Sequence, residues 1–145
     1  MEIKITQLVL LQSYEYEYDI ENKKPSTPAE AEMVLVKGEE GNKVNAKEHT
    51  YYRSGVGKLL HMARWSRPDI QNSVRELASQ GSCPTKAHIK AMHRAMDYCV
   101  ATPKRGWLLK PKRTWDGKDK NFKFRVSGKS DSDYSKCPVT RRSVR

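Results

Sequence analysis

Residues 51–70 read YYRSGVGKLLHMARWSRPDI, and this stretch decides how the chain is organised. Tyr52, Val56, Leu59, Leu60 and Ala63 fall at i, i+4, i+7, i+8 and i+11, the apolar face of a helix running from about 47 to 64. Arg53, Lys58, Arg64 and Arg67 are left for the other faces. Gly55 and Gly57 interrupt the pattern, each at about 0.5–1 kcal/mol relative to alanine. A helix that keeps two glycines predicts a close approach by another backbone. Ser66-Arg67-Pro68-Asp69 then reads as a fresh start: Ser66 and Asp69 have capping-box spacing, and Pro68 stands in a first turn, where its missing N–H is harmless.

Working outward, the second helix covers about 67–79, with Ile70, Val74, Leu77 and Ala78 on one face and Gly81 past its end. A third, about 85–101, is capped by Thr85 and buries Ile89, Met92, Met96, Cys99 and Val100, while Lys86, Lys90 and Arg94 share another face. Upstream, residues 2–5 alternate as a short strand, and Thr6 caps a helix reaching about Tyr18; the Tyr-Glu alternation at 14–18 also suits a strand. Residues 21–46, with Pro25-Ser26-Thr27-Pro28 and Gly38-Glu39-Glu40-Gly41, read as an extended linker. Downstream, 106–110 and 122–126 read as strands around a basic turn. The expected fold class is α+β: three to four helices in a small bundle, then a β-rich C-terminal segment. The divisions are 1–20, 21–46, 47–102 and 103–145.

Charge is distributed unevenly. Residues 1–50 hold 6 Lys/Arg against 10 Asp/Glu, residues 51–100 hold 8 against 3, and residues 101–145 hold 14 against 4. A chain of net charge +11 whose residues past 50 hold 22 Lys/Arg against 7 Asp/Glu, net +15, points to a polyanion, nucleic acid before membrane. No apolar run reaches the roughly 18 residues of a membrane span, and the N-terminus lacks the features of a signal peptide. Three widely spaced cysteines, Cys83, Cys99 and Cys137, fit reduced thiols. An intracellular site, cytoplasmic or nuclear, and no secretion are therefore expected.

Gly55-Val56-Gly57-Lys58 fails as a phosphate loop: Tyr52 stands where the earlier glycine belongs, and Leu59 follows the lysine. Cys83, His88, His93 and Cys99 fail as a zinc set, because His88 and His93 are five apart on one helix. Asp131-Ser132-Asp133 at a strand end offers two carboxylates on one face for a hard cation, fewer than a two-metal hydrolase needs. Trp65, Trp107 and Trp115 lie among cations and suit either base stacking or packing.

Several stretches taken together resemble the Pol polyprotein of copia-type LTR retrotransposons. They are Ile3-Lys4-Ile5-Thr6-Gln7, Ser26-Thr27-Pro28, Tyr52-Arg53-Ser54, Val56 through Leu60, Arg67-Pro68-Asp69-Ile70, Val74 with Leu77, Pro84-Thr85 with His88, Met96-Asp97-Tyr98, Thr102 with Gly106, Ser130 through Tyr134, and Thr140 through Ser143. The resemblance implies the thumb and connection of a reverse transcriptase running into the start of an RNase H domain. It assigns Asp131 to the first catalytic, metal-binding aspartate of RNase H and Asp133 to a second acidic position. Lys129 stands where the family has an aromatic residue, and Tyr134 where it has Trp. No Tyr-x-Asp-Asp occurs in the chain.

The resemblance thus implies a fragment of an RNA-directed DNA polymerase/ribonuclease H, inactive by itself. Mg2+ would serve the intact parent enzyme, and no cofactor is expected for this piece alone. The partners implied are an RNA–DNA hybrid or other duplex, found in the cytoplasm within a virus-like particle or in the nucleus, and the rest of the polyprotein, with no membrane. Arg64, Arg67, Lys86, Lys90, Arg94, Lys104, Arg105, Arg141 and Arg142 are the candidates for backbone contacts. The alternatives are a non-functional relic of a decayed element and a basic nucleic-acid-binding helical module without enzymatic role.

Overall fold

The computed structural model describes residues 2–21, 23–31, 35–39 and 42–109. The described elements run β1 (Ile3–Ile5), α1 (Leu8–Tyr18), α2 (Ala46–Trp65), a single 3-10 turn (Pro68–Ile70), α3 (Gln71–Ser79), α4 (Lys86–Ala101) and β2 (Trp107–Leu109). Four helices and a two-stranded antiparallel sheet make a mostly helical α+β arrangement. They fall in one unit, Met1–Pro111, and Lys112–Arg145 make a second that lies outside the described residues. The expected strand at 122–126 and the RNase H-like start beyond 109 belong to that undescribed part.

In α1 the helical period prevails over the Tyr-Glu alternation, because Leu11, Tyr14 and Tyr18, spaced i, i+3 and i+7, are the residues buried. Thr6 does not cap this helix. Gln7 occupies the cap position with no side-chain hydrogen bond, and the methyl of Thr6 lies instead where a Cβ on Gly106 would press. The helix ends at Asp19 in the left-handed conformation, φ 50°.

α2 starts from a reciprocal cap that the periodicity did not signal. Asn45 Oδ1 accepts the Glu48 N–H at 2.9 Å, and Glu48 Oε2 accepts the Asn45 N–H at 3.2 Å. Its buried face comprises Tyr52, Gly55, Val56, Leu59, Met62 and Ala63. Met62 takes the place expected for Leu60, which is 41% exposed. A face centred between Val56 and Leu59 has room for one of the two neighbours.

Gly55 is needed because a Cβ there would collide with Sδ of Met92 and come within 3.0 Å of the Met96 methyl. The close neighbour is thus the methionine pair of α4 and not a backbone, while a Cβ on Gly57 would meet nothing.

The Ser66–Asp69 box does not form. The Ser66 hydroxyl donates back to the Met62 carbonyl at 3.4 Å, and Asp69 is held by Arg67. The chain turns through the 3-10 segment, with Pro68 first, before α3 begins. Gly81 lies two residues beyond α3, its N–H donating to the Ala78 carbonyl at 3.1 Å.

Leu11, Tyr14 and Tyr18, the α2 face, Ile70, Val74, Leu77, Met92, Ala95, Met96, Cys99 and Val100 form one core. Each of the large apolar side chains contributes about 1.5–3 kcal/mol by leaving water. Between Tyr18 and Ala46 no described residue is in an α-helix or strand. That segment crosses α4 first, where the Lys23 N–H donates to Asp97 Oδ1 at 3.2 Å. It then crosses the α3–α4 connection, where Gln80 Nε2 donates to the Leu35 carbonyl at 3.2 Å. β1 and β2 pair as Ile3↔Leu109, Lys4↔Leu108 and Ile5↔Trp107. Gly106 permits the pairing, since a Cβ there would strike the Ile5 carbonyl oxygen.

Candidate nucleic-acid interface

The arginine of Arg67-Pro68-Asp69 is the best-held cation among the described residues. It is 2% exposed. Its Nε and Nη2 donate to Asp69 Oδ1 and Oδ2, each at 2.9 Å. Nη1 donates to the Thr102 carbonyl at 3.1 Å, and Nη2 also reaches Thr102 Oγ1 at 2.8 Å. Its guanidinium carbon lies 5.3 Å from the Tyr98 ring centre. The Tyr98 hydroxyl donates to Asp69 Oδ2 at 3.2 Å and accepts from Arg105 Nη1 at 2.6 Å.

Burial works against charge on Asp69, but the hydrogen bonds and charge of Arg67, with the Tyr98 hydroxyl, hold the carboxyl below its ordinary range. The same exchange keeps Arg67 protonated despite its burial. All of this joins the turn after α2 to the end of α4. Arg67 is therefore removed from the candidate backbone contacts: its donors face inward.

The remaining described candidates reach solvent. Arg64 is exposed near the end of α2, its guanidinium 5.8 Å from the exposed Trp65 ring. Lys86 and Lys90 are exposed on α4. Arg94, one turn on, is half-covered: its Nη1 lies 3.5 Å from Glu30 and its Nη2 donates to Thr27 at 3.4 Å. Lys90, Arg94 and Lys23 share a cleft of about 370 Å³ with Glu30, Glu76 and Asp97, so acids offset the bases there. Lys104 is exposed just past α4, and Arg105 beside it is 58% exposed although it touches Tyr98 and lies 3.7 Å from Asp69.

The structure thus brings Arg105 to Arg67 through Tyr98 and Asp69, and Lys90 to Arg94 across the cleft rim. The bases of α4 are strung along a 16-residue helix, about 24 Å at 1.5 Å per residue. Asp131, Asp133, Arg141 and Arg142 lie outside the described residues. Among the described residues no group of three or more His, Cys, Asp and Glu could hold a metal ion.

Tyr98 and Thr102 were not legible as part of this network. Tyr98 looked like helix body and Thr102 like a helix end, and no spacing announces a hydroxyl that meets a residue about 30 positions away. Trp107 is half-exposed on β2, and Trp115 lies outside the described residues. Cys99 is inert: burial pushes its thiol up to about 12. No described helix is long and apolar enough to cross a membrane.

The similarity found for this sequence is to retrotransposon Pol polyproteins. The chain is 38% identical over 65 residues to the retrovirus-related Pol polyprotein from transposon RE1 of Arabidopsis thaliana. It is 37% identical over 65 residues to that from transposon RE2 of the same plant. Each match covers 45% of this chain and 4% of the relative, so the chain spans a small part of the polyproteins it matches. The resemblance to a copia-type Pol polyprotein is borne out over that stretch. No family model and no solved structure matches the chain.

Proposed function

We propose that the chain is a thumb-and-connection piece of a retrotransposon reverse transcriptase that holds a nucleic-acid duplex by its sugar-phosphate backbone. The observation that carries this reading is the exposure of Arg64, Lys86, Lys90, Lys104 and Arg105 on a helical unit with an apolar core. The similarity to Pol polyproteins supplies the class of ligand. Lys and Arg without a base-reading pocket give sequence-independent contacts. The preferred ligand is an RNA–DNA hybrid, with the rest of the polyprotein as its protein partner. In the intact enzyme Asp131 and Asp133 would hold Mg2+, whose chemistry there is phosphodiester hydrolysis. This chain alone is expected to polymerise and cleave nothing.

The test is a binding titration of the 145-residue chain on an RNA–DNA hybrid of mixed sequence at several salt concentrations. Affinity should fall linearly with salt on logarithmic axes, with a slope of about −0.9 per phosphate neutralised. No binding at low salt, or a flat response, would rule the reading out. Mg2+-dependent cleavage of the hybrid, lost in Asp131→Asn, would overturn the expectation of inactivity.

A further inference from the structure

We infer that His88 is an acid-operated latch, holding the strap of residues 35–39 against the start of α4 only while its ring is neutral. Both ring nitrogens are committed, and in opposite senses. The Thr85 N–H, at the cap of α4, donates to Nδ1 at 3.0 Å. Nε2 lies 3.0 Å from the Val36 carbonyl oxygen, which only accepts, so Nε2 carries the proton. One imidazole thus caps a helix and ties down a strap. The capping box normally uses Glu or Gln at this third position. His88 does the same work with a group that titrates near neutrality.

A second proton acts at the Nδ1 end, while Nε2–H still faces the Val36 carbonyl. Nδ1 becomes a donor facing the Thr85 N–H, so that cap bond is lost, and the acceptor left within reach is the Thr85 hydroxyl at 3.3 Å. The new positive charge also stands at the N-terminus of a 16-residue helix, where the helix dipole disfavours a cation. The ring is 2% exposed and therefore cannot hydrate that charge in place. Burial accordingly holds its pKa below the usual histidine value, opposed by the Val36 carbonyl.

The titratable groups that face it are tied elsewhere. The Tyr52 ring of α2 lies 6.4 Å away, with its hydroxyl donating to the Leu77 carbonyl at 2.7 Å. Cys83 Sγ donates to the Gly38 carbonyl at 3.0 Å. Lys37 and Glu39 on the strap and Lys86 on α4 are exposed. Burial and the helix N-terminus together drive the charged ring toward water.

The strap follows because, among the described residues, its other ties are two hydrogen bonds to the α3–α4 connection, the packing of Leu35 on the core and a turn at its end, where the Asn42 N–H donates to the Glu39 carbonyl at 3.0 Å. The two bonds run from Cys83 to the Gly38 carbonyl and from Gln80 Nε2 to the Leu35 carbonyl. A Cβ on Gly38 would lie 2.7 Å from both the Cys83 carbonyl oxygen and the Thr85 methyl, so the strap fits only at full contact. Leu35 is one wall of the cleft lined by Lys90 and Arg94, and release of the strap opens that wall.

The test is hydrogen exchange by mass spectrometry on the full chain at pH 7.5 and 5.0, with protection factors taken against the unfolded chain at each pH. His88→Gln is the control variant, because a glutamine amide can accept from Thr85 and donate to Val36 without titrating. Protection over 35–39 should fall at least tenfold at pH 5.0 in the wild type while the second half of α4 keeps its protection, and His88→Gln should show no such fall. Equal pH dependence in the two proteins, an unchanged strap, or loss of protection everywhere at once would each overturn the proposal. If His88→Gln does not fold, the His88 ring is titrated by NMR in the wild type. Its midpoint must coincide with the loss of strap protection, and a separate midpoint overturns the latch.

Discussion

Arg67 and Asp69 meet through two parallel hydrogen bonds of 2.9 Å, Nε to Oδ1 and Nη2 to Oδ2, at the one place where the chain leaves α2 and must re-enter a helix. The pair is two residues apart in sequence, yet its energetic partner is Thr102, at the far end of α4. A local motif thus sets a long-range distance. Arg67 is fixed from both sides and serves the protein interior.

Arg67→Lys keeps the charge but loses the planar fork, leaving the Thr102 carbonyl or Asp69 short of a donor. A loss of about 2–3 kcal/mol is expected, at the lower end for a buried pair because Asp69 is partly exposed. Urea denaturation followed by circular dichroism measures it, and an unchanged midpoint would show the network to be dispensable.

Gly55→Ala and Gly57→Ala should move stability in opposite directions. Both remove helix-interior glycine, a gain of up to about 1 kcal/mol. At Gly57 the new methyl meets nothing, so the gain remains. At Gly55 it must displace Met92 and Met96, both fully buried, and overpacking of about 1–3 kcal/mol outweighs the propensity gain. Thermal melts of the two variants beside the wild type decide the signs.

Stability should fall as pH drops below about 6.5. His88 and His93 both have folded-state pKa values lowered, chiefly by burial. The unfolded chain therefore binds more protons than the native state in that window, which makes stability rise with pH there. The contribution is complete above the unfolded value of 6.5 and is lost as pH falls toward the depressed folded values. His93 accepts or donates one bond, with the Tyr51 hydroxyl at 2.8 Å, so His93→Gln should remove part of the slope. Denaturation midpoints between pH 5 and 8 for the two proteins give the comparison.

If duplex binding is the role, charge removal should be graded by exposure. Lys104→Ala and Lys86→Ala should each lower the salt slope by about 1, with similar effects on all duplex sequences. Arg105→Ala should also cut a hydrogen bond to Tyr98, and so weaken both binding and fold. Binding isotherms over a salt series, paired with melts, separate these effects.

How much was legible is best judged residue by residue. α2 and α4 were readable to within a residue or two because burial of Tyr52, Val56, Leu59, Met92 and Met96 imposes a 3.6-residue period on the chain itself, while α1 stayed open between helix and strand and α3 begins at Gln71, four residues after the expected start. The resemblance to Pol was likewise written in short stretches of sequence, which need no coordinates. Single positions at the edge of a face were not readable: Leu60 and Met62 are equally apolar, and only the position of α4 decides which is covered. The capping box expected at Ser66 failed because Asp69 had a stronger partner in Arg67. Nor could Arg67 be told from Arg64 or Arg105 by composition.

Three arginines of the same kind were separated by burial alone. By itself the sequence determined where the helices lie, where charge accumulates and what the chain is similar to, since these depend on local period and residue type. Only the tertiary structure decided which cations face solvent and which histidine holds the strap. Those outcomes depend on groups far apart in the chain, such as Arg67 with Thr102 and Val36 with His88, arriving within hydrogen-bond distance.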